Sequence, residues 1–395
     1  MPSFSTLLPL VALATAVQSF VTVPLNPITG REGAYLKGLP EANRQRAAAL
    51  KSGKSATAPA SNLAYVQYTT SVGVGNPPTY YNLVVDTGSS NTFVGTGKKY
   101  VRTNTSVSTN ENVNVTYGQG FFTGKEYIDQ VTLAPGLVIK NQSIGDALKF
   151  AYFDGVDGIV GVGPVDLTTG TLAPDENEAI PTVLNNALKQ GLIEEEILGV
   201  SFKQAGQYND TNGALTYGGI DSSLYTGDLT YTPLTKTEPA NYYWGINITK
   251  ATFGKTSLFD KSYAGIVDTG TTQVLIADDF FAKYTAAIPG SYQDNNTGLI
   301  VIPPASVSKI QNLTLEIGGK DFVLDVGAQL IPQDENEAWG GENGTQYGVV
   351  GGLGSPSGEG LDFIVGQTFL ERYYSVYDAK NGRVGFAYTN HTWST

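Results

Sequence analysis

Val84-Val85-Asp86-Thr87-Gly88-Ser89-Ser90 returns 182 residues later as Ile266-Val267-Asp268-Thr269-Gly270-Thr271-Thr272. In both places two β-branched residues lead into Asp-Thr-Gly and two hydroxyl residues follow. A second pair keeps the same order: Gly158-Ile159-Val160-Gly161 lies downstream of the first Asp, and Phe363-Ile364-Val365-Gly366 downstream of the second. Repetition on this scale reads as two duplicated lobes related by a pseudo-twofold axis. Asp and Gly after a strand often only turn the chain. A turn alone does not explain an ionisable residue at the end of an apolar strand in both halves. A carboxylate so placed is expected to be partly buried and to titrate away from its ordinary value.

Working outward, short runs rich in Val, Ile, Thr, Tyr and Phe recur between Gly, Asn, Asp and Pro clusters, as in Tyr65 to Val74, Tyr80 to Val85 and Leu313 to Ile317. The expected fold class is all-β. Helical patterns are few, with Ala179 to Gln190 and Asp278 to Ala287 the better candidates. Gly73-Val74-Gly75 precedes another strand rather than a helix, so it reads as a turn and not a phosphate cradle.

The chain has 395 residues, 24 Lys+Arg against 36 Asp+Glu, and a formal net charge of −12, so the basic footprint of a nucleic-acid binder is missing. It has no cysteine, which removes thiol nucleophiles, disulfides and thiolate metal sites. With one histidine, His391, neither a Ser-His-Asp triad nor a two-histidine metal site is expected, and no cofactor or metal is implied. Catalysis, if any, falls to carboxylates and hydroxyls. The acidic clusters Asp175-Glu176 and Asp334-Glu335 read as solvated loops, and the aromatics Phe150, Tyr152 and Phe153 as core.

Residues 1–19 carry no charge and contain the apolar run Leu7 to Val17, too short for a membrane span, which reads as a signal peptide of a secreted, extracellular protein. Nine Asn-x-Ser/Thr sequons fit that route: Asn104, Asn114, Asn141, Asn209, Asn247, Asn295, Asn312, Asn343 and Asn390. Residues 20–54 hold Arg31, Lys37, Arg44, Arg46, Lys51 and Lys54 against Glu32 and Glu41, a net +4 that leaves −16 on the rest. A basic leader on an acidic body suggests a propeptide that docks electrostatically and is removed in acid.

Two carboxylates brought together on the axis cannot both ionise cheaply, so they share one proton, and such a pair can act as base and acid at once. Gly88 and Gly270 allow close approach of the backbone, and Ser89 and Thr271 offer hydroxyls to the outer oxygens. On these residues the sequence resembles the pepsin-family aspartic proteases, and in particular fungal members, over nearly all of the chain after about Ser55. The resemblance implies a two-lobed fold with a central cleft, peptide-bond hydrolysis, polypeptide substrates, the chain's own propeptide as a partner, and a monomer. It assigns catalysis to Asp86 and Asp268, with Thr87 and Thr269 supporting them. Val115-Thr116-Tyr117-Gly118-Gln119-Gly120 resembles the family's flap, a hairpin that closes over substrate. By the same resemblance Phe150 lines a hydrophobic pocket, and Thr272 contacts substrate. Phe93 stands where the family usually has Trp, which removes an indole hydrogen bond to the flap tyrosine. One of the lysines, Lys51 or Lys54, is expected to reach the two aspartates in the precursor. The expected domains are signal peptide 1–19, propeptide 20–54, N-terminal lobe 55–207 and C-terminal lobe 208–395. A catalytically dead binding protein of the same fold, or a glycosidase using paired carboxylates, would be the rival readings.

Overall fold

Leu83, Val84, Val85 and Asp86 are all buried, as are Gly158 to Gly161, because the two strands pair in parallel and are covered on both faces, where continuous apolar runs are stable. The register sets Val84 against Ile159, Val85 against Val160 and Asp86 against Gly161. In the other half Ile266 faces Ile364 and Val267 faces Val365, again in parallel. A third strand then packs antiparallel to the second in each half, Phe93–Val94 on Gly158–Gly161 and Val274–Ile276 on Phe363–Val365. The repeat seen in the sequence is therefore a repeated three-strand unit, and each Asp-Thr-Gly is the loop between its outer strands.

The computed structural model describes residues 20–27, 32–52, 68–117, 120–203 and 213–394. The first unit lies in a nine-stranded sheet and the second in an eight-stranded sheet. A six-stranded sheet joins them, in the order Val21–Pro24, Gly213–Tyr217, Ile197–Phe202, Tyr373–Asp378, Arg383–Tyr388, Thr226–Pro233. It draws on the leader and on both halves, so the lobes share one continuous apolar core. The fold is the all-β, two-lobed one expected.

Particular elements differ from the sequence expectations. The helix expected over Ala179 to Gln190 runs only Val183–Lys189, because Pro181 precedes it and Thr182 caps it, its Oγ1 accepting from the Asn185 amide at 3.3 Å. The second runs Asp278–Ala286. The longest helix among the described residues, Leu39–Lys51, was not foreseen. Pro40 occupies its first turn, Glu41 follows near the positive end and Lys51 closes the negative end. The boundaries expected at 54/55 and 207/208 fall outside the described residues.

The leader buries apolar side chains against the body. Val21–Pro24 adds an antiparallel strand to Gly213–Tyr217. Leu36 and Leu39 enter a cluster with Leu299, Val301, Ile331, Trp339, Tyr347 and Val349, while Ala47 and Leu50 enter another with Tyr243, Ile266 and Leu361. Burying the three leucines is worth about 1.5–3 kcal/mol each. Arg46 and Lys51 form ion pairs with the body, the charge of Lys37 acts on Asp294, and Arg44 pairs with Glu41 in its own helix. Charged contacts and apolar packing both join this segment to the body.

Candidate active site

The two Asp-Thr-Gly loops meet back to back. The Thr87 amide donates to Thr269 Oγ1 at 2.9 Å and the Thr269 amide donates to Thr87 Oγ1 at 3.0 Å. Each hydroxyl then donates across to the strand leading into the opposite loop, Thr269 Oγ1 to the Val85 carbonyl at 2.8 Å and Thr87 Oγ1 to the Val267 carbonyl at 3.3 Å. Both threonines are fully buried. Hydrogen bonds away from water, each with its partner fixed by the other, hold the two loops in one relative position.

On that base sit the carboxylates, both with no exposure. Asp86 accepts from the Gly88 amide at 3.0 Å and from Ser89 Oγ at 2.6 Å. Asp268 accepts from the Gly270 amide at 2.9 Å and from Thr271 Oγ1 at 2.5 Å. The glycines have a geometric reason. A Cβ on Gly88 would come within 2.7 Å of Asp268 Oδ1, and one on Gly270 within 2.6 Å of Asp86 Oδ1. Burial pushes the Asp86 carboxyl above the ordinary aspartate range and the neighbouring Asp268 adds to the rise, while Arg46, Ser89 and Gly88 pull the other way.

A guanidinium fills the space between them. Arg46 Nη2 donates to Asp86 Oδ1 at 2.8 Å and to Asp268 Oδ1 at 2.7 Å, and Nε donates to Asp268 Oδ2 at 2.6 Å. Burial alone would make the arginine easier to deprotonate, but the two carboxylates outweigh it and its pKa is raised; it stays charged. Arg46, rather than Lys51, stands between the two aspartates. Lys51 instead reaches Ser355 Oγ at 2.6 Å and Glu359 at 2.5 Å, and Lys54 lies outside the described residues. The signal was present in the helix: Leu39, Asn43, Arg46, Ala47 and Leu50 fall on one buried face, while Glu41, Arg44 and Gln45 point outward. A charged residue on the buried face of an amphipathic helix needs partners there. Asn43 on the same face donates to Gln273 at 3.2 Å.

Over the first loop lies the hairpin of Val107–Thr116 and Phe121–Ala134, with Thr116 opposite Phe121. Gly118 and Gln119 lie outside the described residues. The Tyr117 ring is buried beside Phe93 (centroids 6.2 Å apart) and Phe153 (5.6 Å, edge on), and its hydroxyl has no hydrogen-bond partner. Burial, with the charge of Asp86, pushes that phenol well above its usual range. Phe93 is fully buried and stacks on Phe122 at 3.9 Å. Phe153 is core, but Phe150 and Tyr152 are exposed (41% and 52%), against the expectation that all three are core. Both stand at the end of Leu137–Ala151, beyond its packed alternation. Thr272 is buried with its hydroxyl unpartnered.

Residues 67–389 match the family described as eukaryotic aspartyl protease. The chain belongs to that family. It is 54% identical over 330 residues to polyporopepsin from Irpex lacteus, covering 84% of this chain and 96% of the relative. Gastricsin from Cavia porcellus is 30% identical over 336 residues, 80% of this chain and 78% of that one. The crystal structure of the aspartic proteinase from Irpex lacteus superimposes with a TM-score of 0.81 at 53% identity, over 86% of this chain and 98% of that one. The protein is an aspartic endopeptidase with the pepsin-like fold. Membership of this family removes the glycosidase reading.

Proposed function

We propose that this aspartic endopeptidase hydrolyses peptide bonds with Asp86 and Asp268 acting together on one water, and that the chain is a precursor held inactive by residues 20–54. The observation that carries this reading is the single Arg46 nitrogen hydrogen-bonded to both inner carboxylate oxygens. Both oxygens lie within reach of one atom, as a shared water or substrate oxygen requires, and a propeptide side chain occupies that position.

With Arg46 withdrawn, the pair holds one proton between its two carboxyls. The ionised member takes a proton from the water, the hydroxide oxygen bonds to the peptide carbon, and the protonated member gives its proton to the carbonyl oxygen. The tetrahedral intermediate then collapses with proton transfer to the departing nitrogen, and the C–N bond breaks. Tyr117, Gly118 and Gln119 would close over the substrate and exclude water. Phe93 would pack beneath Tyr117, and Phe150 and Thr272 would contact substrate side chains.

The latch has a definite pH sign. Arg46 favours the ionised form of Asp86, so the undocked state binds more protons than the docked one, and docking weakens as pH falls through the carboxylate range. Arg46 cannot release itself by losing its own proton. Opening therefore belongs to acid, followed by cleavage near Ser55.

A signal peptide at 1–19 would carry the precursor out of the cell. No helix among the described residues is long and apolar enough to cross a membrane. Asn104, Asn114, Asn141, Asn295, Asn312, Asn343 and Asn390 are exposed and open to glycan transfer, whereas Asn247 is half-buried and accepts from Thr235. We read the enzyme as a monomer. Acid-treated precursor should cleave unstructured peptides at about pH 3.5–4, near the ordinary carboxylate values, and pepstatin should block it. Cleavage untouched by pepstatin would count against the two-aspartate mechanism.

A further inference from the structure

Beside the second loop lies a cavity of about 70 Å³ whose lining includes Thr272, Ile331, Glu335, Trp339, Glu371 and Arg372. Trp339 and Thr272 are 4% and 6% exposed, and neither Trp339 Nε1 nor Thr272 Oγ1 has a hydrogen-bond partner. Two orphaned polar atoms lining one cavity are costly unless something fills it. The space is ample for a small polar group. Glu335 also departs from the solvated-loop reading. It is half-buried, and burial, with Glu371 and Asp334 nearby, raises its carboxyl to about 7. The Trp339 indole lies close enough to ease its ionisation slightly, but no well-formed hydrogen bond joins them. Burial likewise raises Glu371, which accepts from the Tyr68 hydroxyl at 2.7 Å.

The cavity adjoins surface that the leader covers. Ile331, Trp339 and Val349 form part of its wall and also belong to the cluster that receives Leu36 and Leu39 of the leader, and the Leu36 amide donates to the Ala338 carbonyl at 2.6 Å. From Leu39 the helix runs to Arg46 between the carboxylates, an axial span of about 10 Å. An extended peptide covers that span in about three residues.

We propose that this cavity is a specificity site that takes a carboxamide side chain, Gln or Asn, about three residues from the bond being cut. The proposal rests on the reading of the cleft as the place where Asp86 and Asp268 cut peptides. The chemistry selects the amide. The indole N–H can only donate and needs an acceptor, which the amide C=O supplies. The amide NH₂ donates to Thr272 Oγ1 or to the glutamate oxygens. A lysine leaves the indole N–H unpaired and places its charge near Arg372, while both glutamates are protonated at the acid pH where the enzyme is assayed. A methionine, of similar length to glutamine, leaves both orphans unpaired.

The test uses the acid-activated enzyme and peptides carrying Gln, Met or Lys at the third and fourth residues on either side of the cut. At one of these positions kcat/KM should be about tenfold higher for Gln than for Met or Lys, the scale set by two net hydrogen bonds. Trp339→Phe and Thr272→Val should each lower that ratio to about threefold or less. A ratio of two substrates on one sample is independent of the fraction folded, so partial misfolding does not blur the result. The proposal is overturned if Gln and Met are cleaved within twofold at every position, if Lys is preferred, or if both variants keep the wild-type ratio. Failure to cut any peptide would instead overturn the reading of Asp86 and Asp268 beneath it.

Discussion

The Asp86 and Asp268 loops have nearly the same internal hydrogen bonds and quite different surroundings. Each carboxylate has one glycine amide and one hydroxyl from its own loop, and each loop has a threonine bonded into the other. On the Asp86 side, Tyr117 at the end of a hairpin strand packs in an aromatic cluster with Phe93, Phe122 and Phe153. Asp268 takes two of the three bonds from Arg46, and Thr272 of its loop lines the cavity at Trp339. On the proposed function the shared part is the chemistry and the unshared parts are access and regulation, so changes inside the loops should act symmetrically and changes around them should not.

The largest effect breaks the chemistry. Asp86→Asn and Asp268→Asn should each lower kcat by about 10²–10⁴-fold, since one carboxylate cannot be both acid and base. Losses differing by more than tenfold in folded protein would show that the two loops are not equivalent partners. Next comes the unshared arginine. Arg46→Gln removes one partner of a buried ion pair, a change worth about 3–5 kcal/mol, and the precursor should process itself near pH 6, where the wild type stays latent. High salt should not mimic it, because the Arg46 and carboxylate side chains are fully buried and poorly screened.

The sequence made the symmetric part legible because duplication writes it twice: Asp86, Asp268, both glycines and both hydroxyls could be read from two short motifs. What occurs once was harder. Arg46 was hidden because charge counting treats every cation in the leader alike, whereas burial on the helix face of Leu39 and Leu50 singles one out. Glu335 looked like any acidic loop residue until the packing of Trp339 and Glu371 around it was known. Phe150 and Tyr152 looked like core because aromaticity says nothing about which end of a strand faces solvent.

A smaller effect probes the join. Thr269→Val leaves the Thr87 amide without its acceptor and the Val85 carbonyl without a donor, and Thr87→Val does the same in reverse. Each should cost about 1–3 kcal/mol in urea unfolding, with Thr269→Val the larger because its outgoing bond is shorter. A cost below about 0.5 kcal/mol for both, under the usual net value of one hydrogen bond, would remove the join from the account. Smallest of all, Phe93→Trp offers an indole N–H to the unpartnered Tyr117 hydroxyl and should change kcat/KM by only a few-fold, the scale of one net hydrogen bond. Kinetics unchanged on several peptides would show that the two side chains do not cooperate in closure.

The most direct measurement is the mass of the purified precursor over time at about pH 3.5, just below the ordinary carboxylate values, for wild type and Asp268→Asn side by side. The wild type should shorten to a form beginning near Ser55, and the mutant should stay full length until active enzyme is added. A mutant that shortens alone at the wild-type rate would contradict the claim that the carboxylates held by Arg46 are the ones that cut.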